Sequence, residues 1–241
     1  KSSKFMIRIQ FSLTVLFVSL LFASCKDTPS KVTPSIPSNE SLKDSILKDS
    51  IPKESEKEPF VLDEDNAIPF FFEYSKTLKE DKVKLTTSLG SFTIQLYDDV
   101  PYHKANFIYL TKKGYFNNTM FHRVVKNFII QGGSSDDVET SKKRHAIGRY
   151  LLPPDNKKGY KHHRGTVSMP SSERDNPHKL ASPFEFFIVV TKPGSYHLDA
   201  NYTPFGRVIE GMDVVDLINS QPVDAGDWPM QNIYIIKAEA F

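Results

Sequence analysis

The chain is 241 residues long, with 31 Lys and Arg against 29 Asp and Glu and a formal net charge of +2. That length holds one sizeable domain plus appendages, and balanced, interspersed charge excludes the one-sided basic surface of a nucleic-acid binder. A single cysteine, Cys25, excludes intrachain disulfides and cysteine metal clusters.

In chain order, Lys4 and Arg8 precede an apolar stretch from Phe11 to Ala23 that ends in small residues before Cys25. This is the pattern of a secretory signal, and it is shorter than the ~20 apolar residues a spanning helix needs. The run LLFAS before Cys25 resembles the lipobox of bacterial lipoproteins. The resemblance implies that Cys25 is lipidated, becomes the mature N-terminus and holds the chain to a membrane by its acyl groups. The expected location is therefore the cell envelope, on its extracytoplasmic side, in the periplasm or at the cell surface. An incidental cysteine at the end of an ordinary signal peptide is the alternative. Residues 26–59 are rich in Lys, Asp, Glu, Ser and Pro and contain LKDSI twice, so they read as a disordered tether with too little apolar surface to offset ordering. Residues 60–82 carry Phe70, Phe71, Phe72 and Tyr74. This extension is expected to pack on the body, with an exposed docking patch as the alternative.

The body, residues 83–241, opens with VKLTTSLGSFTIQLY, two alternating runs around Leu89 and Gly90 that predict a hairpin of half-buried strands. A helix is expected next, with Pro101 in its first turn, Ala105, Phe107, Ile108 and Leu110 as its apolar stripe and Gly114 as its stop. Further strands are predicted at Met120 to Val125, Phe128 to Gln131, Phe186 to Thr191, Phe205 to Ile209 and Ile233 to Ala238, and a second helix at Met212 to Asn219. Many short strands with two helices imply an antiparallel barrel or sandwich. The segment from Ser134 to Arg164 shows no usable periodicity and reads as a long loop.

The run FHRVVKNFIIQGG, Phe121 to Gly133, sets Arg123 among apolar and aromatic residues, followed by Gln131 and two glycines that permit a tight bend. A guanidinium beside an apolar wall is a permanent, directional donor; an arginine on the solvent face of an amphipathic strand is the plain alternative. The run resembles the F-H-R-V-I-x-x-F-x-x-Q-G-G block of the cyclophilins. ANFIYL with KKGYFNNTMFHR, GTVSM, EFFIVV and PFGRVIEGMDVVDLI match other blocks of that family in order, so the resemblance covers the whole body. It implies an eight-stranded antiparallel barrel capped by two α-helices, a mainly β fold that binds peptides in an outer groove. It also implies peptidyl-prolyl cis-trans isomerisation without cofactor or metal, on proline-containing peptides and unfolded or partly folded client proteins, by a monomer. Carried over position by position, Arg123 is the catalytic donor, Phe128, Ile129, Phe187 and Leu198 form the proline seat with Met169 nearby, and His122 and Gln131 line the groove.

Four substrate-contacting positions depart from the family pattern. Glu185 stands where a glutamine is usual and would pair with Arg123 if within reach; His197 replaces a common tryptophan, Tyr202 a common histidine, and Ser171 an asparagine whose backbone meets substrate. His145, His162, His163 and His178 lack metal-ligand spacing and read as solvated loop residues, and no GxSxG elbow marks a nucleophile. A non-catalytic envelope protein that holds clients by the same groove is the rival reading.

Overall fold

A computed structural model describes residues 60–155, 157–171 and 177–241. The expected signal, Cys25 and the tether lie outside the described residues. Eight strands close into an antiparallel barrel: β1 (Lys82–Thr87), β2 (Gly90–Leu96), β3 (Thr119–Val125), β4 (Ile129–Ser134), β5 (Thr166–Ser168), β6 (Phe186–Val189), β7 (Pro204–Glu210) and β8 (Tyr234–Ala240). Around the barrel their order is β1-β2-β7-β5-β6-β4-β3-β8. Closure leaves no free sheet edge, and side chains alternate between the interior and the outer face.

The described helices number four: α1 (Ala67–Thr77), α2 (Pro101–Lys112), α3 (Val138–Ile147) and α4 (Met212–Asn219). Two of these, α2 and α4, are the predicted ones, and two were not foreseen. Pro101 opens α2, where its missing N–H has no bond to lose, and Ala105, Phe107, Ile108 and Leu110 are all fully buried on the barrel. In the extension, α1 buries Phe71 completely. Its Phe70 and Tyr74 rings meet Tyr109 of α2 edge-on at 5.2 and 5.8 Å, and Phe72 stays 47% exposed.

The unpatterned segment after Ser134 contains α3. Asp137 caps it by accepting from the Thr140 N–H at 2.7 Å, and only Thr140 and Ile147 are buried. With so polar a surface the helix offers no apolar stripe, which is why periodicity passed over it. Gly148 ends it where Leu62 crosses, since a Cβ there would stand 1.8 Å from the Leu62 carbonyl oxygen. The two glycines after Gln131 also do other work than the bend expected of them. They lie within β4, and a Cβ on Gly132 would sit 2.9 Å from the Phe121 ring, so the first glycine admits a core aromatic.

The interior is packed by Val124, Ile130, Val167, Phe186, Ile188 and Phe205, all fully buried. A second, smaller apolar cluster of Ile129, Phe187, Val189 and Leu198, with Phe128 and Tyr202 against it, sits on the outer face of β4 and β6.

Candidate active site

Four strands place the site residues in one row. Arg123 of β3 lies opposite Gln131 of β4, Gln131 opposite Phe187 of β6, and Phe187 opposite Ser168 of β5. Directly opposed residues on a sheet stand close enough to touch. Strict alternation would not put Arg123 on that face, because Phe121 and Val124 are both buried in the interior and lie three apart. The break is a register shift between Phe121 and Arg123, a bulge with His122 as the extra residue, and it turns Arg123 outward.

The turn after β3 is held from α4. Asn127, at φ 58°, donates its N–H to Asn219 Oδ1 at 2.9 Å. The Asn219 Nδ2 donates in turn to the carbonyls of Val125 and Ile129. A buried amide that meets three backbone groups fixes this hairpin, and with it Phe128.

Arg123, Phe128, Ile129, Gln131, Pro170, Ser171, Phe187, Leu198 and Tyr202 surround a cleft of about 330 Å³. Arg123 is the one charged residue among the described residues of this wall, with its side chain 47% exposed. Eight of the residues read from the sequence thus meet in one cleft, and four lie beside or behind it. Met169, expected near the seat, is buried in the interior core and does not line the cleft. His197 stacks over Phe128 at 5.5 Å and backs that wall. His122 faces Glu185, Nε2 to Oε2 at 3.4 Å, and Trp228 at 6.1 Å.

Glu185 accepts from Gln131 Nε2 at 2.9 Å, so it orients Gln131. The carboxylate beside Arg123 is instead Asp227, whose Oδ2 lies 3.6 Å from Nη2. Burial pushes the Glu185 carboxyl up, but the hydrogen bond and charge of His122, the bond from Gln131 and the charge of Arg144 outweigh it and hold the group below its ordinary value.

His162, read as a solvated loop residue, is fully buried behind Phe187. Its ring lies nearly parallel to Phe187, with centroids 6.1 Å apart. Nδ1 meets Asp199 Oδ1 at 2.9 Å and Nε2 meets Ser168 Oγ at 2.9 Å. Because the carboxylate only accepts, Nδ1 carries the proton and Nε2 takes the Ser168 hydroxyl. Burial lowers the pKa of His162 from its ordinary value, against the opposing pull of Asp199. Tyr202 closes on Phe187 edge-on at 5.5 Å, so Phe187 is gripped on two sides. Ser, His and Asp do meet here, but Ser168 is fully buried, and a hydroxyl sealed behind an aromatic wall has no substrate to attack.

The profile described as "Cyclophilin type peptidyl-prolyl cis-trans isomerase/CLD" matches residues 82–240. The chain belongs to the cyclophilins. Among cyclophilin relatives, a peptidyl-prolyl cis-trans isomerase-like 3 of Dictyostelium discoideum is 37% identical over 155 residues, covering 64% of this chain and 91% of that one. A peptidyl-prolyl cis-trans isomerase of Acinetobacter baylyi is 35% identical, covering 67% and 86%. The chain spans only 32% of another relative, a peptidyl-prolyl cis-trans isomerase-like 2 of Rhizopus delemar, at 36% identity. A crystal structure of a Cryptosporidium parvum cyclophilin-type isomerase, obtained in the presence of the dipeptide Ala-Pro, aligns with a TM-score of 0.55 at 27% identity, covering 66% of this chain and 98% of that chain.

Pro170, Asn219, His162, Asp199 and Asp227 are not among the site residues expected from the sequence. Pro170 adjoins Ser171 and could have been included with it. The others reach the cyclophilin cleft through folded contacts that no local pattern announces.

Proposed function

We propose that this cyclophilin rotates Xaa-Pro bonds in peptides and in unfolded proteins, with Arg123 as its catalytic residue. The observation that carries the reading is a guanidinium on a cleft whose other described residues are apolar or neutral polar groups. The planar amide resists rotation with a barrier of ~18–20 kcal/mol. In the twisted form the prolyl nitrogen loses its conjugation and presents a lone pair. A donor aimed at that nitrogen favours the twisted form over both planar ones, which is the requirement for catalysis. Arg123 supplies that donor and cannot lose its proton. Phe128, Ile129, Phe187 and Leu198 seat the proline ring and keep water off the bond that rotates, so the donor acts beside an apolar wall. Gln131, held by Glu185, and the backbone near Ser171 hold the peptide on either side. The Ala-Pro dipeptide present with the Cryptosporidium parvum relative is the same class of ligand.

The setting belongs to the same proposal. The lipobox-like run before Cys25 and the polar residues 26–59 support a lipid-anchored folding helper outside the cytoplasm, its groove held away from the lipid surface. Clients there carry the same slow proline steps as any unfolded chain.

The test follows cis-to-trans relaxation of a proline peptide with the purified chain and with Arg123→Ala. The native chain should speed relaxation and the variant should be roughly 100-fold weaker in kcat/KM. Equal rates for the two would remove Arg123 from the chemistry. An inert native chain that still binds unfolded clients would make it a holding module.

A further inference from the structure

A catalytic arginine on an open sheet face has a problem that the cleft itself does not solve. Its long side chain has many rotamers, and only a few of them aim the guanidinium at the seat. Among the described residues, none on the cleft wall carries a negative charge to select among them. The group that meets Arg123 comes from another part of the chain, the loop between α4 and β8.

We infer that Asp227 is a positioning residue for Arg123, pinning one edge of the guanidinium so that its remaining N–H groups face the proline seat. The inference rests on the proposed role of Arg123. Asp227 grips β3 twice. Its carboxylate lies 3.6 Å from the Arg123 Nη2, and its carbonyl accepts from the N–H of Val124, the next residue along, at 2.8 Å. A main-chain bond one residue from the arginine sets the carboxylate's distance from it, so the ion pair does not depend on two freely moving side chains finding each other.

The loop that delivers Asp227 is itself built. Val223 and Pro229 pair across its neck. Asp224 Oδ1 accepts from the N–H groups of Gly226 and Trp228 at 2.8 and 2.9 Å. The Asp224 N–H donates to the Trp228 carbonyl at 2.9 Å, and the Asp227 N–H to the Asp224 carbonyl at 3.2 Å. Asp227 sits at φ 65°, a left-handed conformation that Asp and Asn adopt more readily than most residues. The same loop lays Trp228, the only tryptophan in the chain, against His122 at 6.1 Å. Both residues of the bulged pair, His122 and Arg123, are therefore met by consecutive residues of one loop. Side-chain exposures of 47% and 38% leave Arg123 and Asp227 open to solvent, so dissolved salt screens their attraction.

The experiment uses the full chain and Asp227→Asn, which keeps the main-chain carbonyl, the side-chain size and tolerance of the left-handed backbone while removing the charge. Unchanged Trp228 fluorescence would show that the loop is intact. Expected are a kcat lower by roughly fivefold with KM little altered, and a native enzyme whose kcat falls toward that of the variant at 1 M salt while the variant hardly responds. Asp227→Glu should restore part of the loss. A purely structural role would lower the folded fraction without salt convergence or rescue. Equal kcat and equal salt response in the native and Asn forms would overturn the inference, and a faster variant would mark Asp227 as a competitor for the donor. Rotation of the Arg123 guanidinium, read by nitrogen-15 NMR, tests the inference without turnover. Rotation that is slow in the native chain and fast in the Asn form supports it even if no isomerase activity is found, whereas equal rotation overturns it.

Discussion

Phe186 and Phe187 are consecutive residues of β6, and both are almost completely buried. Phe186 points into the barrel, where its ring meets Phe107, Phe116 and Phe121 edge-on at 5.4, 5.7 and 5.9 Å. Phe187 points outward, held by His162 and Tyr202, and offers its remaining surface to the cleft. Beyond the His122 bulge the same alternation holds in β3 and β4, where Val124 and Ile130 face inward while Arg123 and Gln131 face outward. On a closed barrel each strand thus has a face that holds the fold together and a face free to carry chemistry, and a one-residue change of register would exchange them.

The largest expected effect comes from breaking the inner face. Phe186→Ala should cost about 4 kcal/mol of stability in a denaturant titration, because the interior cannot collapse around the missing ring. The fraction that remains folded should isomerise at the native rate. Phe187→Ala should reverse the balance, with a smaller stability loss and a turnover lower by about tenfold or more as the seat opens to water. Equal activity losses in the two variants would mean the faces are not separate.

A smaller effect on the inner face follows from acid. His103 is fully buried against Phe205, with neither ring nitrogen hydrogen-bonded among the described residues, and burial pushes its pKa down from 6.5 to about 3. The unfolded chain therefore takes up a proton that the folded one refuses. The stability this contributes is present above pH 6.5 and is lost as pH falls toward 3, with about 2 kcal/mol gone by pH 5. His103→Leu should flatten that part of the stability–pH curve while leaving isomerisation at pH 7.5 unchanged. A curve of the same slope would show that other groups dominate it.

The smallest effect is expected beside the cleft. Glu185 is held below its ordinary value of 4.5, so its contribution is present above that pH and is lost as pH falls through the lower folded value. Glu185→Gln should cost under about 1 kcal/mol at neutral pH, since the side chain keeps some solvent, and should remove a share of the acid sensitivity. Turnover should shift within about threefold as Gln131 loses its charged partner. A loss as large as that of Arg123→Ala would place the carboxylate in the chemistry itself.

Much of this was open to reading in one dimension. The predicted helices at Pro101 and Met212 and the strand runs on either side of them correspond to α2, α4 and the barrel strands, because apolar periodicity reports which side of an element is buried. The block around Arg123 pointed to its family because a donor, an aromatic and a glutamine at fixed spacing are local features. The helix α3 was missed because its caps, and not a stripe, define it. Met169, expected near the seat from the family resemblance, follows β5 and is buried in the core, while its neighbours Pro170 and Ser171 line the cleft.

The sequence by itself determined the class of fold, the family and most of the cleft wall, since these depend on patterns repeated within a few residues. The tertiary structure alone decided the outward aim of Arg123, the clamp of His162 on Phe187, the hold of Asn219 on the hairpin and the arrival of Asp227 at the guanidinium. Each of those depends on a bulge or on a contact between distant segments. Barrel closure brings such segments together through the summed burial of the interior, and no local spacing records which polar groups then meet on the outside.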